Sequence, residues 1–263
     1  MKTVIVIPAR KASTRFPNKP MAPILGVPLL ERVWRIAKAV KNVDGVWIAT
    51  DDSGIENLAK SFGANVVMTR PDCENGTERV YDAVQKLDCL PEIVLNLQGD
   101  AVLTPPFVLQ AVLDEMQSNP EIQLATPATQ MSWAQYDEFM ISRASGKAGG
   151  TLVVFDLKKN ALYFSKGAIP FIRDRGNILE SVPPIHRHIG LYCYRYPTLK
   201  KYLSLSQTPL EKVEKLEQLR ALEHGIPIRI VPVDYQGRTH GSVDNPEDIQ
   251  KVEQIILKEG ELV

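Results

Sequence analysis

The 263-residue chain carries 31 basic and 31 acidic side chains, so it has no overall field to draw DNA, RNA or an anionic membrane, and any anion site must be local. Its length can bury a substantial core without staples, and three scattered cysteines, Cys73, Cys89 and Cys193, read as reduced thiols of a cytoplasmic protein. The apolar start, Val4 to Ile7 before Pro8, is too short for a signal-peptide core, and no apolar run reaches spanning length, so neither export nor membrane insertion is expected.

Val4-Ile-Val-Ile7 is a β-branched run of the kind buried on both faces of a parallel sheet. Leu30, Val33, Trp34 and Ala37 recur at helical spacing and predict a helix over 29–40. The alternation continues with strand 46–49, helix 53–62, strand 65–68, helix 77–87, strand 93–97 and a helix from about 106 to 117. Asn75, with Glu78 three residues on, predicts a capping-box variant at the start of the 77–87 helix. The segment 130–150, ending in the glycine-rich Ser145 to Gly150, has weak periodicity and reads as a mobile connection. Strands are expected at 151–155, 162–164 and 188–194, helices at 197–203 and 210–224, and a strand at 226–231. A last helix is expected to open on Asp244, Asn245 and Pro246. This pattern predicts an α/β fold, doubly wound around a mostly parallel sheet, with a smaller β-rich part. Ligands then belong outside the carboxyl ends of the strands, which puts the loops after Ile7, Ala49 and Leu97 on one rim.

The first thirty residues contain Lys2, Arg10, Lys11, Arg15 and Lys19, and the first acid is Glu31. The loop from Arg10 to Lys19 follows directly on the first strand. Its side chains and the backbone N–H groups of Ala12, Ser13 and Thr14 can converge on a triphosphate, or the loop is simply a solvated basic segment. It has neither the Walker nor the dinucleotide glycine pattern. Asp100, in Gln98-Gly-Asp100, is aimed into the same rim, as a metal ligand or as a cap of the next helix. Asp244 carries the same two readings. Together the two aspartates would supply hard oxygen ligands for Mg²⁺ beside a triphosphate. Asn75-Gly-Thr-Glu-Arg79 is a turn into a helix whose amides can read a base or sugar, or merely a capped helix start.

The order of Pro8-Ala-Arg-Lys-Ala-Ser-Thr-Arg-Phe-Pro-Asn-Lys-Pro20, Ala49-Thr-Asp51, Met68-Thr-Arg70, Asn75-Gly-Thr-Glu-Arg79, Asn96-Leu-Gln-Gly-Asp100, Ala161-Leu-Tyr-Phe-Ser165, Arg187-His-Ile-Gly-Leu-Tyr192, Pro209-Leu-Glu211, Leu216-Glu-Gln-Leu-Arg220 and Val243-Asp-Asn-Pro-Glu-Asp248 resembles the 3-deoxy-manno-octulosonate (Kdo) cytidylyltransferases over nearly the whole chain. The resemblance implies one Rossmann-like, nucleotidyltransferase-type domain over 1–263. Its nucleotide-binding core would be about 1–130 and 225–263, and about 150–224 would be a β-rich sugar-binding and dimerisation part. It implies that CTP and a 2-keto-3-deoxy sugar acid give a CMP-sugar and pyrophosphate, with Mg²⁺, in a cytoplasmic homodimer serving lipopolysaccharide or capsule assembly.

By the same resemblance Pro8, Ala9, Arg10, Ser13, Arg15, Lys19, Arg70, Asn75, Gly76, Thr77 and Gln98 would bind the nucleotide. Lys166, His188, Tyr192, Glu217 and Gln218 would bind the sugar acid, Asp100 and Asp244 the metal, and Arg10, Lys19, Asp100 and Asp244 would carry the catalysis. The chain departs from the family pattern at Ala101-Val102, at Lys166 and around Gly149-Gly150, which widens the expected acceptor to Kdo or a close variant. A nucleotidyltransferase for another sugar acid or a sugar 1-phosphate, and a silent nucleotide-binding homologue, remain alternatives at this level.

Overall fold

β1 (Thr3–Pro8) is buried from Thr3 to Ile7, as its β-branched run requires, and lies between two parallel neighbours. The computed structural model describes residues 2–11, 16–146, 149–177 and 182–263. A small hairpin of β2 (Pro23–Ile24) and β3 (Val27–Pro28) leads into α1 (Leu29–Lys38). There follow β4 (Gly45–Thr50), α2 (Ser53–Ser61), β5 (Asn65–Met68), α3 (Gly76–Gln85), β6 (Ile93–Leu97) and α4 (Pro106–Ser118). The second half holds β7 (Leu124–Gln130), α5 (Trp133–Ala144), β8 (Thr151–Phe155), β9 (Ala161–Ser165), β10 (His186–His188) and β11 (Leu191–Arg195). It ends with α6 (Tyr196–Leu203), α7 (Pro209–Glu214), α8 (Gln218–Glu223), β12 (Arg229–Pro232) and α9 (Asp248–Glu259).

The main sheet runs β5-β4-β1-β6-β11-β7-β10-β8-β9, with β12 pairing β7 off that path. From β5 to β6 every pairing is parallel, and from β6 to β9 every pairing on the path is antiparallel. β11 enters between β6 and β7, so the two halves share one continuous sheet. Period-two alternation along β1 and β6 sends Ile5, Ile7, Leu95 and Leu97 into one core layer and Val4, Val6 and Val94 into the other. Each such buried aliphatic side chain contributes roughly 1.5–3 kcal/mol. The layers hold the carboxyl ends of β1, β4 and β6 on one rim, as expected.

The structure corrects several local expectations. The 130–150 segment contains α5, opened by Ser132, whose hydroxyl accepts from Gln135 N (3.2 Å) while the Gln135 side chain accepts from Ser132 N (2.9 Å). Its periodicity is weak because Phe139 is its only buried residue, set against a small cluster with Met131, Leu152 and Ile185. β7 was not anticipated: Pro127 reads as a breaker, yet it sits within the strand and its carbonyl accepts from Ile189 N (3.0 Å). The expected strand 188–194 is interrupted by a tight turn in which Leu191 N donates to Ile189 O (2.7 Å). The expected helix 210–224 is split at Lys215, which adopts a left-handed conformation (φ 53°). The strand expected at 226–231 lies at Arg229–Pro232. The last helix begins at Asp248, not at Asp244–Pro246, because Asp248 itself accepts from the backbone N–H groups of Asp244 (3.0 Å) and Asn245 (2.9 Å).

Candidate active site

Two cavities open on the rim and meet at Gln98 and Asp100. The first, about 260 Å³, lies between the ends of β1 and β6 and the start of α3, with Pro8, Ala9, Arg10, Lys19, Asn75 and Gly76 in its wall. Its shape depends on two glycines. A Cβ on Gly99 would stand 2.8 Å from the Pro8 carbonyl oxygen, so only glycine lets the β1 and β6 ends approach this closely. A Cβ on Gly76 would press on the Pro8 ring (3.3 Å) and the Gln98 amide (3.4 Å). The Asn75 side chain caps α3 by accepting from Glu78 N (2.9 Å), while Glu78 accepts from Glu74 N (2.9 Å) rather than from the cap residue. That leaves a helix N-terminus facing the cavity, a favourable place for anionic or polar ligand groups.

Lys19 ties the site together. Its ammonium donates to Asp100 Oδ2 (2.7 Å) and to the Val243 carbonyl (2.9 Å), joining the end of β6 to the segment that carries Asp244. Asp100 does not cap α4, and with Asp248 taking the amides before α9, Asp244 is not the cap of that helix either. Both aspartates line the second cavity. Among the described residues no group of three or more His, Cys, Asp or Glu is arranged so that it could hold a metal ion by itself. Two carboxylates of this kind suit a hard cation that takes its other ligands from substrate oxygens and water.

The second cavity, about 350 Å³, is walled by β10, the turn before β11, the break between α7 and α8, and the 240–244 segment. The left-handed Lys215 and a buried ion pair, Arg220 to Glu211 (2.5 and 2.8 Å), set the angle between α7 and α8 and place Glu217 and Gln218 in the wall. Gln218 accepts from the Tyr192 hydroxyl (2.9 Å), and its own amide nitrogen is buried without a protein partner. Thr126 Oγ1 donates to the Leu191 carbonyl (2.7 Å), so His188 Nε2, 2.8 Å from Thr126 Oγ1, carries the hydrogen and donates to the hydroxyl, and Nδ1 is the bare nitrogen. Burial holds His188 down to a pKa of about 3, helped by His240, and burial with the nearby Arg187 holds His240 down to about 4. Both rings are therefore neutral hydrogen-bonding groups near pH 7. Burial pushes the Glu217 carboxyl up, partly offset by the Thr77 hydroxyl.

Of the residues picked out from the sequence, Pro8, Ala9, Arg10, Lys19, Asn75, Gly76, Gln98 and Asp100 line the first cavity. His188, Tyr192, Glu217, Gln218, Asp100 and Asp244 line the second. Ser13 and Arg15 lie outside the described residues. Arg70 is exposed and turned to Asp72, Glu78 and Asp82, away from the cavity. Thr77 is fully buried, its hydroxyl donating to Glu217 Oε2 (3.0 Å), and it lines neither cavity. Lys166 lines neither: its backbone N donates to Glu214 (3.0 Å) and its carbonyl accepts from Arg143, which also binds the carbonyls of Gly149 (2.6 Å) and Gly150 (2.9 Å).

Two further wall residues were not picked out from the sequence as site residues. Arg79, 3 % exposed, lines the first cavity and is pinned by Asp51 (3.1 Å) and Thr69 (2.5 Å), from the ends of β4 and β5. It stands in the quoted Asn75–Arg79 motif, but that it turns inward depends on two strands far from it in sequence. His240, in an irregular segment, had no periodic or motif signal at all.

Comparison with known proteins agrees with this geometry. The cytidylyltransferase family model matches residues 4–230. A 3-deoxy-manno-octulosonate cytidylyltransferase of Maricaulis maris is 51% identical over 265 residues, covering 100% of both chains. An 8-amino-3,8-dideoxy-manno-octulosonate cytidylyltransferase of Shewanella frigidimarina is 38% identical over 255 residues, covering 96% of this chain and 98% of its own. The solved structure of a CMP:2-keto-3-deoxy-manno-octonic acid synthetase complexed with CTP superposes with a TM-score of 0.85 at 33% identity, covering 98% of this chain and 100% of its own. With two joined cavities at the rim of a nucleotidyltransferase-type α/β sheet and likeness along its full length, the chain belongs to the 3-deoxy-manno-octulosonate cytidylyltransferase family.

Proposed function

We propose that this protein transfers the cytidylyl group of CTP to the anomeric hydroxyl of a 2-keto-3-deoxy sugar acid, Kdo or a close variant, releasing pyrophosphate. The observation that carries this reading is the pair of cavities sharing Gln98 and Asp100, which seats two substrates against one another at a single carboxylate. The first cavity takes the nucleotide, with the Asn75–Gly76 turn and Gln98 facing the cytidine and Arg10 and Lys19 facing the phosphates. By the resemblance in sequence, Ser13 and Arg15 would also serve the phosphates. The second cavity takes the sugar acid, with neutral His188, the Tyr192–Gln218 pair and Glu217 as hydrogen-bonding groups.

Mg²⁺ held by Asp100 and Asp244 would neutralise charge on the α-phosphate and align the two substrates for in-line displacement. Lys19 holds Asp100 against Val243 and so keeps the two aspartate-bearing segments together before substrates arrive. Its fixed ammonium is also a point charge beside the leaving pyrophosphate.

The reaction would activate the sugar acid in the cytoplasm for lipopolysaccharide or capsule assembly. No helix among the described residues is long and apolar enough to cross a membrane, and the three cysteines are free thiols. The protein would act as a homodimer through its β-rich part. Edge strand β9 and the nearby α5 and α7 expose Leu162, Ile141 and Val213, 63–80% accessible, the apolar surface such contacts bury. Pyrophosphate release with CTP against UTP and dTTP, over Kdo, 8-amino Kdo and a nine-carbon sugar acid, tests the reading. Turnover with CTP and an eight-carbon acid supports it; release only with another triphosphate overturns it.

A further inference from the structure

Between the two cavities, through the buried Asn96 and Thr77, runs a chain of hydrogen bonds whose donors all point one way. The Gln98 amide donates to Asn96 Oδ1 (3.3 Å), the Asn96 amide donates to Thr77 Oγ1 (3.2 Å), and the Thr77 hydroxyl donates to Glu217 Oε2 (3.0 Å). Asn96 and Thr77 are both 0% exposed, so neither can touch a ligand. The two ends of the chain do line cavities: Gln98 lines both, and Glu217 lines the second. The Glu217 backbone is held separately, its carbonyl accepting from the Tyr202 hydroxyl (2.9 Å). What remains to be held is the Glu217 carboxylate, and Thr77 supplies the side-chain donor to it.

We infer that Thr77 is a positioning residue for the acceptor cavity: polarised by Asn96, its hydroxyl fixes the Glu217 carboxylate at the wall. This rests on the second cavity being the acceptor site, and it moves Thr77 from the nucleotide site to a support of the sugar-acid site. A directed series of hydrogen bonds polarises each member in turn and is stronger inside the protein than in water. A bond ending on a carboxylate is also worth more than a neutral one. Losing the hydroxyl therefore loosens Glu217 and leaves the Asn96 amide without its acceptor.

The test is steady-state kinetics of pyrophosphate release for wild type, Thr77→Val and Thr77→Ser, varying each substrate in turn. The expected result is a KM for the sugar acid raised about tenfold in Thr77→Val, with KM for CTP and kcat within about threefold of wild type. Thr77→Ser, which keeps the hydroxyl, should stay within about threefold throughout. Equal rises in both KM values, or a serine variant as impaired as the valine one, would show mere packing and overturn the assignment. Thermal unfolding of Thr77→Val, Glu217→Ala and the double variant gives an arm free of substrate. The double variant should melt no more than a degree or two below the lower single variant, whereas additive losses overturn the contact. A wild-type protein that releases no pyrophosphate removes the cytidylyl-transfer reading and leaves the melting comparison to judge the Thr77–Glu217 contact by itself.

Discussion

Around the proposed nucleotide cavity the chain presents main-chain turns at strand and helix ends and three cations, from the exposed Arg10 to the buried Arg79. Around the acceptor cavity it presents buried side chains drawn from β10, β11 and the α7–α8 break. The first wall comes from short stretches around 8–10, 19–20, 74–79 and 98–100, and it carries the cations Arg10, Lys19 and Arg79. The second comes from positions spread between 98 and 244 and, beside Asp100 and Asp244, holds His188 and His240, kept neutral by burial, and Glu217, whose carboxyl burial pushes up. A cavity for a triphosphate needs fixed cations, and here Asp51 holds Arg79 and Asp100 holds Lys19. A cavity that must recognise a hydroxylated acid uses fixed, dry hydrogen-bonding groups whose orientation is set by neighbours, as Thr126 sets His188 and Tyr192 holds Gln218.

The sharpest way to break this contrast is at the group both cavities share. Asp100→Asn should lower kcat/KM by roughly 10³-fold while the melting temperature stays within a few degrees, because the change removes a charge next to the phosphates without changing volume. A variant that kept full turnover would disconnect the two cavities from one chemistry. Gly99→Ala probes the nucleotide side alone. With the new Cβ at 2.8 Å from the Pro8 carbonyl, the β1 and β6 ends must part, which should destabilise the fold by about 1–3 kcal/mol in denaturant unfolding and raise KM for CTP more than KM for the sugar acid.

The acceptor side should show itself through pH. His188 is held near 3 in the fold against an ordinary 6.5, so between those values the unfolded chain binds more protons and stability rises with pH. Its contribution is fully present above about pH 6.5 and is lost as acid is added. The protein should be about 2 kcal/mol less stable at pH 5 than at pH 7 from this group, with His240 acting in the same direction. His188→Asn should flatten that part of the profile in chemical unfolding, and an unchanged slope would deny the ring its dry environment. Smallest of all should be the effect of Leu162→Glu at the β9 edge. It should leave monomer stability within about 0.5 kcal/mol while shifting the mass seen by light scattering toward the monomer if the β-rich edge joins two copies.

Much of the parallel half was readable in advance. Continuous β-branched runs such as Val4–Ile7 and regular helical spacing such as Leu30–Ala37 report burial on both faces of a sheet or on one face of a helix, and both are local patterns. The basic loop and Asp100 were visible for the same reason, since each stands within a few residues of the strand that aims it. The antiparallel half was harder. Pro127 concealed β7, α5 buries only Phe139, and Lys215 breaks what reads as one helix. The break before β11 depends on Thr126 reaching the Leu191 carbonyl across the sheet.

What the sequence determined by itself was therefore the α/β alternation, the rim on which ligands belong and, through its motifs, the family. Tertiary structure alone decided which motif residues touch a cavity. It turned Arg70 outward, buried Thr77 beneath Glu217, kept Lys166 from the wall, and brought Arg79 and His240 into it. The reason is physical: strand and helix periodicity is written in neighbouring residues, whereas the direction of a polar side chain is settled by whichever distant partner satisfies it.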